Sequence, residues 1–234
     1  MGATASRRPV RVLSRTRGFF VGADDSLAEQ TRRRRWALIR AHIPDFESLR
    51  VLDLGGTGTW WARAPLRPRH VTAINLFEAD RQHPDVTMIE GDALDAAELI
   101  AGREFDLVFS NSLIEHLGGH LPRRAFADLV AGLAPRYVVQ TPWRYFPVEP
   151  HWVFPAFQFL PFRARSYLAP RWPLGHTRGW EPDAAANEVM CTDLLSASEM
   201  RAYFPDAEIV WERVAGVRKS MLAIRGYQRS GKTR

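Results

Sequence analysis

The stretch Val51-Leu52-Asp53-Leu54-Gly55-Gly56-Thr57-Gly58-Thr59 decides the fold. Apolar residues run into an aspartate and then into a glycine-rich turn, the pattern of a strand that ends in a loop and passes into a helix. In an α/β protein such a turn brings backbone amides and a helix N-terminus against a nucleotide-like ligand. Glycine is required there because a Cβ blocks close approach and because such turns use positive φ.

Working outward, strands are expected over 50–54, 70–76, 86–90, 105–110 and 137–140, separated by helices over 60–64, 96–101 and 121–134. Upstream, Asp24 or Ser26 is expected to cap a helix over 27–42 that Pro44 ends. Continuous apolar strands alternating with helical segments predict a parallel sheet covered on both faces. Ligands of such sheets sit outside the carboxyl ends of the strands. Asp53 with its glycines, Asn75, Asp92, Ser110, Asn111 and Thr141 all fall at that end.

Residues 141–190 break the rhythm with a density of proline and aromatic side chains. Regular structure is expected to resume over 196–204, where Ser196 and Glu199 have capping-box spacing. Two strands over 207–213 and 221–225 follow.

At 234 residues with 46% hydrophobic content, the chain suits one α/β domain with an elaboration. A single cysteine, Cys191, excludes an intrachain disulfide and a cysteine-based metal cluster, and favours a reducing compartment. The net charge of +6 comes largely from arginines in the first 40 residues, including Arg32, Arg33, Arg34 and Arg35. Those residues read as a solvated tail, with Phe19 and Phe20 available to dock, leading into a helix with a charged outer face. No apolar run reaches signal-peptide length or the roughly 18 residues of a membrane span. The expectation is a soluble, cytoplasmic protein.

Four pieces in order resemble the class I S-adenosylmethionine-dependent methyltransferases, particularly their small-molecule branch. Val51 to Thr59 resembles the first motif. Val71-Thr72-Ala73-Ile74-Asn75-Leu76 resembles the second strand, whose last polar residue binds ribose hydroxyls. Glu90-Gly91-Asp92-Ala93 resembles the adenine-contacting segment, and Phe105 through Ser110-Asn111-Ser112-Leu113-Ile114-Glu115-His116 resembles the fourth motif. The resemblance implies a Rossmann-like, doubly wound, mostly parallel seven-stranded sheet with an aromatic and proline-rich lid. It divides the chain into a basic tail (1–22), a cofactor-binding core (23–140), a lid that binds the acceptor (141–190) and a C-terminal part completing the sheet (191–234).

On this resemblance S-adenosylmethionine is the cofactor, held by Asp53, Gly55, Gly56, Gly58, Asn75, Asp92, Ala93 and Asn111. Ser112, Trp143, Arg144, Tyr145 and Trp152 face a small, apolar or aromatic acceptor, with O-methylation favoured; no metal ligand is expected. His116 and His151 are the catalytic candidates. A histidine near neutrality suits removal of a hydroxyl proton, although an aromatic lid can equally hold His151 as a satisfied buried ring. Arg144 either holds an acidic substrate group or pairs with Glu149. Glu115 and His116 either face substrate or orient their loop.

Two departures stand out. Thr57 and Thr59 occupy positions where the family has glycine. Asn75 stands where the family has a carboxylate, a role Glu78 is placed to supply. These departures motivate an alternative, a non-catalytic or membrane-associated binding protein on a degenerate scaffold. A nucleic-acid methyltransferase is disfavoured because Ser110-Asn111-Ser112-Leu113 lacks the paired prolines and aromatic that hold a flipped base. A dinucleotide-binding dehydrogenase is disfavoured because Trp61 stands at the third glycine position. The aromatics after His151, flanked by Arg163, Arg165 and Arg171, leave peripheral membrane contact open. Oligomeric state is open as well.

Overall fold

A computed structural model of the protein describes residues 27–76 and 85–226. The basic tail, Phe19, Phe20, the caps Asp24 and Ser26, and Glu78 lie outside the described residues. The first helix, α1 (Leu27–His42), leads into β1 (Arg50–Leu54), α2 (Gly58–Ala62), β2 (His70–Asn75) and β3 (Val86–Glu90). Then come α3 (Ala96–Leu99), β4 (Leu107–Asn111), α4 (His120–Leu133) and β5 (Tyr137–Pro142). A connection carrying the short strands β6 (Val148–Glu149) and β7 (Phe154–Pro155) and the helices α5 (Phe162–Leu168) and α6 (Pro182–Cys191) leads to α7 (Ala197–Tyr203). The strands β8 (Glu208–Val214) and β9 (Val217–Arg225) finish the described chain.

The main sheet has seven strands in the order β3-β2-β1-β4-β5-β9-β8. β1 to β5 are mutually parallel, and β9 runs antiparallel to both β5 and β8. This is the Rossmann-like doubly wound architecture expected from the sequence. Apolar side chains cover both faces, as parallel strands require. On one side Trp36 and Ile39 of α1 and Trp61 of α2 pack on Val51, Phe109 and Leu222. On the other, Phe126 and Val130 of α4 and Met200 of α7 pack on Leu52, Val108 and Tyr137.

Local chemistry sets several element ends. The capping box is present at α7: the Ser196 hydroxyl accepts from the Glu199 amide, and the Glu199 carboxylate accepts from the Ser196 amide. α2 begins at Gly58, two residues before the expected start, because the Thr57 Oγ1 caps it by accepting from the Trp60 amide at 3.2 Å. β4 starts at Leu107, two residues later than expected; just ahead of it, the Asp106 carboxylate accepts from the Arg50 amide. β9 starts at Val217, four residues early, since Ala215 and Gly216, both at positive φ, close a tight hairpin with β8. The sequence reading offered no elements for the β5–α7 connection. It has its own small core of Trp152, Phe157, Ala169, Ala185 and Val189. Among the described residues no helix is long and apolar enough to cross a membrane.

Candidate active site

Two clusters of buried polar groups lie beside the carboxyl ends of the parallel strands. The first surrounds the loop after β1. Asp53 is 1% exposed; its Oδ2 accepts from the Trp61 indole at 2.7 Å, while its Oδ1 has no hydrogen-bond partner among the described residues. Burial, opposed by the indole bond, pushes this carboxyl up to about 7. Gly56 roofs it so closely that a Cβ would stand 1.7 Å from the Asp53 Oδ2. Gly55 adopts φ +87° and packs its open face on Leu113. Gly58 is the first residue of α2, and Thr57 is extended at φ −133°, a conformation that does not call for glycine. The first departure from the family pattern thus has a structural cause: the residue is a helix cap.

The second departure has one too. The Asn75 amide nitrogen donates to the carbonyls of Gly55 at 3.2 Å and Gly56 at 3.1 Å. A carboxylate in that place would set an oxygen against two carbonyl oxygens, whereas asparagine has a donor for them. Farther along the sheet edge, the Asp92 carboxylate accepts from the Leu94 amide at 2.9 Å, and Ala93 is buried behind it. The Asn111 Oδ1 accepts from Arg35, whose guanidinium also forks onto Glu212 at 2.8 and 3.0 Å. Arg35 therefore links α1, β4 and β8. Ser112, held at φ +55°, donates from its hydroxyl to the Gln140 Oε1 at 3.0 Å.

The second cluster lies where the loop after β4 meets the β5–α7 connection. Glu115 is fully buried at 0% exposure. Its Oε2 accepts from the Thr141 hydroxyl at 2.9 Å, and its Oε1 has no partner among the described residues. His116 and His151 stand edge to face with ring centroids 4.9 Å apart. The His151 Nδ1 lies 2.6 Å from the Glu149 Oε1, and the other Glu149 oxygen accepts from the Trp152 amide at 2.8 Å. Burial, the largest influence on His151, pulls its pKa down, but the bond to Glu149 and the surrounding carboxylates outweigh it and leave the pKa raised. Burial lowers His116, with the neighbouring His151 acting in the same direction. Behind these rings, the His176 Nε2 sits 3.2 Å from the Glu188 Oε1 and, with its charge, holds that carboxyl below its ordinary range. The two clusters adjoin, since Leu113, three residues before His116, lies against Gly55.

The remaining expected site residues are placed differently from one another. Trp143 packs edge to face on Trp211 and Tyr145, and Tyr145 is exposed. Arg144 pairs with Asp193 and Glu199 and donates to the Leu194 carbonyl at 2.6 Å, tying the connection to α7. Glu149, its expected partner, is taken up by His151 and Trp152. Trp152, expected on the acceptor side, is 1% exposed in the connection's core, its indole donating to the Thr177 hydroxyl at 2.9 Å. The aromatic run considered for membrane contact leaves Phe159, Phe162 and Tyr167 exposed, and no side chain of α5 is buried. Sequence reasoning did not single out Glu149 as the group that orients His151, nor His176 and Glu188. The Glu-Pro-His run at 149–151 carried the only local signal.

An open concavity of about 450 Å³ lined by Arg50, His70, Arg103 and Phe105 lies at the opposite, amino end of the strands. None of the polar groups described above reaches it.

No protein-family model and no curated protein matches the chain. Among solved structures it is similar to magnesium protoporphyrin IX methyltransferase of Synechocystis with bound S-adenosylhomocysteine. That match has 14% identity, 96% of this chain and 90% of that chain covered, and a TM-score of 0.50. It is also similar to an O-methyltransferase family protein of Burkholderia thailandensis, with 15% identity, 94% of this chain and 61% of that chain covered, and a TM-score of 0.50. At such identities the likeness shows the fold: the chain has the fold of the class I methyltransferases.

Proposed function

We propose that the protein transfers a methyl group from S-adenosylmethionine to an oxygen of a small apolar or aromatic acceptor. The observation that carries this reading is the Asp53 Oδ1, a buried carboxylate oxygen with no partner among the described residues, under a loop whose Gly56 admits no Cβ. An unsatisfied buried acceptor of this kind costs about 1–3 kcal/mol, and a ligand ammonium removes that cost. The residues present fit the cofactor. Asp53 suits its amine, Gly55 and Gly56 permit its close approach, and Asn75, Asp92 and Ala93 suit its ribose and adenine. When bound it supplies an electrophilic methyl group on a sulfonium, so the protein's work is chiefly proximity and orientation.

On the acceptor side we place Ser112, His116 and His151, with the β5–α7 connection acting as a lid. With its Nδ1 hydrogen directed at Glu149, neutral His151 has its lone pair on Nε2, the nitrogen that can face an acceptor hydroxyl. The exposed Tyr145 and Phe159 rings, stacked with centroids 6.0 Å apart, would suit an apolar substrate approaching from that side.

Calorimetric titration of S-adenosylmethionine and S-adenosylhomocysteine into the purified full chain tests the reading. Micromolar binding that weakens about 10- to 100-fold in Asp53→Ala is the expected result, the loss of one charge-assisted contact. An absence of binding to both ligands would overturn methyl transfer in favour of a degenerate scaffold.

A further inference from the structure

We propose that Glu115, His116 and His151 form a binding site for one divalent first-row cation of the zinc, cobalt or manganese kind. Each offers a ligand atom, and these atoms all lie within 4.8 Å of one another. A buried carboxylate oxygen without a donor is the strongest sign. Among the described residues the Glu115 Oε1 has no partner although Glu115 is wholly buried, and the Thr141 hydroxyl holds the other oxygen in place. A cation at this point answers a demand that no protein group meets.

Both imidazoles also have the support that metal-bound histidines use. Glu149 engages the His151 Nδ1 at 2.6 Å, leaving Nε2 for an ion. The His116 Nδ1 lies 3.3 Å from the Thr192 hydroxyl, which in turn stands 3.4 Å from the Glu188 Oε1. Two imidazoles bound to one ion at about 2.1 Å, with roughly 100° between them, have ring centroids about 5 Å apart. The separation here is 4.9 Å. Ligand atoms around such an ion stand roughly 3 to 3.5 Å apart, so binding draws the widest pair in by about 1 Å, a shift that χ2 rotation of the rings supplies.

Two nitrogens and one oxygen disfavour magnesium and calcium, which take oxygen ligands, and suit borderline cations. Three protein ligands leave at least one coordination position open. What the ion does there rests on the methyl-transfer reading and replaces the direct role of the His151 Nε2 toward the acceptor: with that nitrogen on the ion, a hydroxyl oxygen of the acceptor occupies the open position and becomes more acidic, its proton passing to water. That the ion binds does not rest on that reading.

Cobalt(II) titrated into tag-free, chelator-stripped full-length protein tests the site through its visible ligand-field absorption. The expected result is a one-to-one end point, at least 100-fold weaker in Glu115→Gln and in His151→Ala, and about 10- to 100-fold weaker in Glu149→Gln, whose residue only supports a ligand. His70→Ala, at the far end of the sheet, leaves the titration unchanged. Thermal melts of every variant separate lost ligation from lost folding, and the near-isosteric Glu115→Gln keeps the test decisive if a histidine variant fails to fold. Equal cobalt binding by wild type and Glu115→Gln, or none by wild type, overturns the site. S-adenosylhomocysteine titration of the same sample keeps the two readings apart. Cobalt binding without nucleoside binding supports the metal site and overturns methyl transfer, and the reverse supports methyl transfer and overturns the metal site.

Discussion

The loop after β1 and the connection after β5 each bury a carboxylate, and they treat it in opposite ways. Asp53 has one oxygen on an indole and one on nothing. Glu149, 2% exposed, has one oxygen on the His151 ring and the other on the Trp152 amide. Burial without a full set of donors raises a carboxyl's pKa, as it does for Asp53. A satisfied carboxylate can instead fix the ring beside it. The half of the molecule built on the glycine loop leaves a carboxylate oxygen without a partner among the described residues, whereas the connection uses its acid as internal scaffolding. Glu115, at the boundary, has one oxygen of each kind.

The largest test of this contrast is Trp152→Ala. Emptying the centre of the connection's core costs about 3–5 kcal/mol. If the two halves are energetically distinct, hydrogen exchange accelerates between residues 148 and 191 while affinity for S-adenosylhomocysteine stays within about threefold. A collapse of both would show one cooperative unit. Gly56→Ala is the reverse experiment. Its Cβ must displace the Asp53 carboxylate, an overpacking cost of about 1–3 kcal/mol. Calorimetry should record a comparable loss of nucleoside affinity, with exchange in the connection unchanged.

The third test is electrostatic. Because the folded Asp53 binds its proton up to about pH 7, against an ordinary value of 3.8, the folded state holds more protons than the unfolded chain between those limits. This group's contribution to stability is therefore greatest at acid pH and falls as pH rises through that window. Asp53→Asn removes the buried charge. Thermal melts of the ligand-free protein should show the variant gaining up to about 4 kcal/mol over wild type at pH 8, and losing that advantage toward pH 4. An unchanged difference across the range would mean that Asp53 is already satisfied and that the contrast with Glu149 is false.

The sheet was legible in the sequence because its signals are local. Apolar runs such as Val51 to Leu54, and polar residues at their carboxyl ends, need only neighbours in the chain to be read. The connection was not legible, for equally physical reasons. Helix α5 buries no side chain and so has no apolar period, and β6 and β7 are two residues each. Residue type alone does not separate Trp152, a core side chain, from an aromatic that lines a pocket. The partners of Arg144, Asp193 and Glu199, lie about 50 residues away and were invisible to a local reading. Of the candidate site, the sequence reading brought forward Asp53, its glycines, Asn75, His116 and His151. It passed over Glu149 as an orienting group because that role depends on burial, which spacing does not encode.

The pair between Arg35 and Glu212, 177 positions apart, gives the molecule an assembly order. Arg35 leaves the ribosome early and Glu212 late, so Arg35 lacks its buried anion through most of translation. Long-range pairing of this kind is slow to form because the chain must close a large loop first. The contact between α1 and β8 therefore closes late, and a nascent product stalled before β8 would carry every motif of the site yet leave Arg35 without its buried carboxylate.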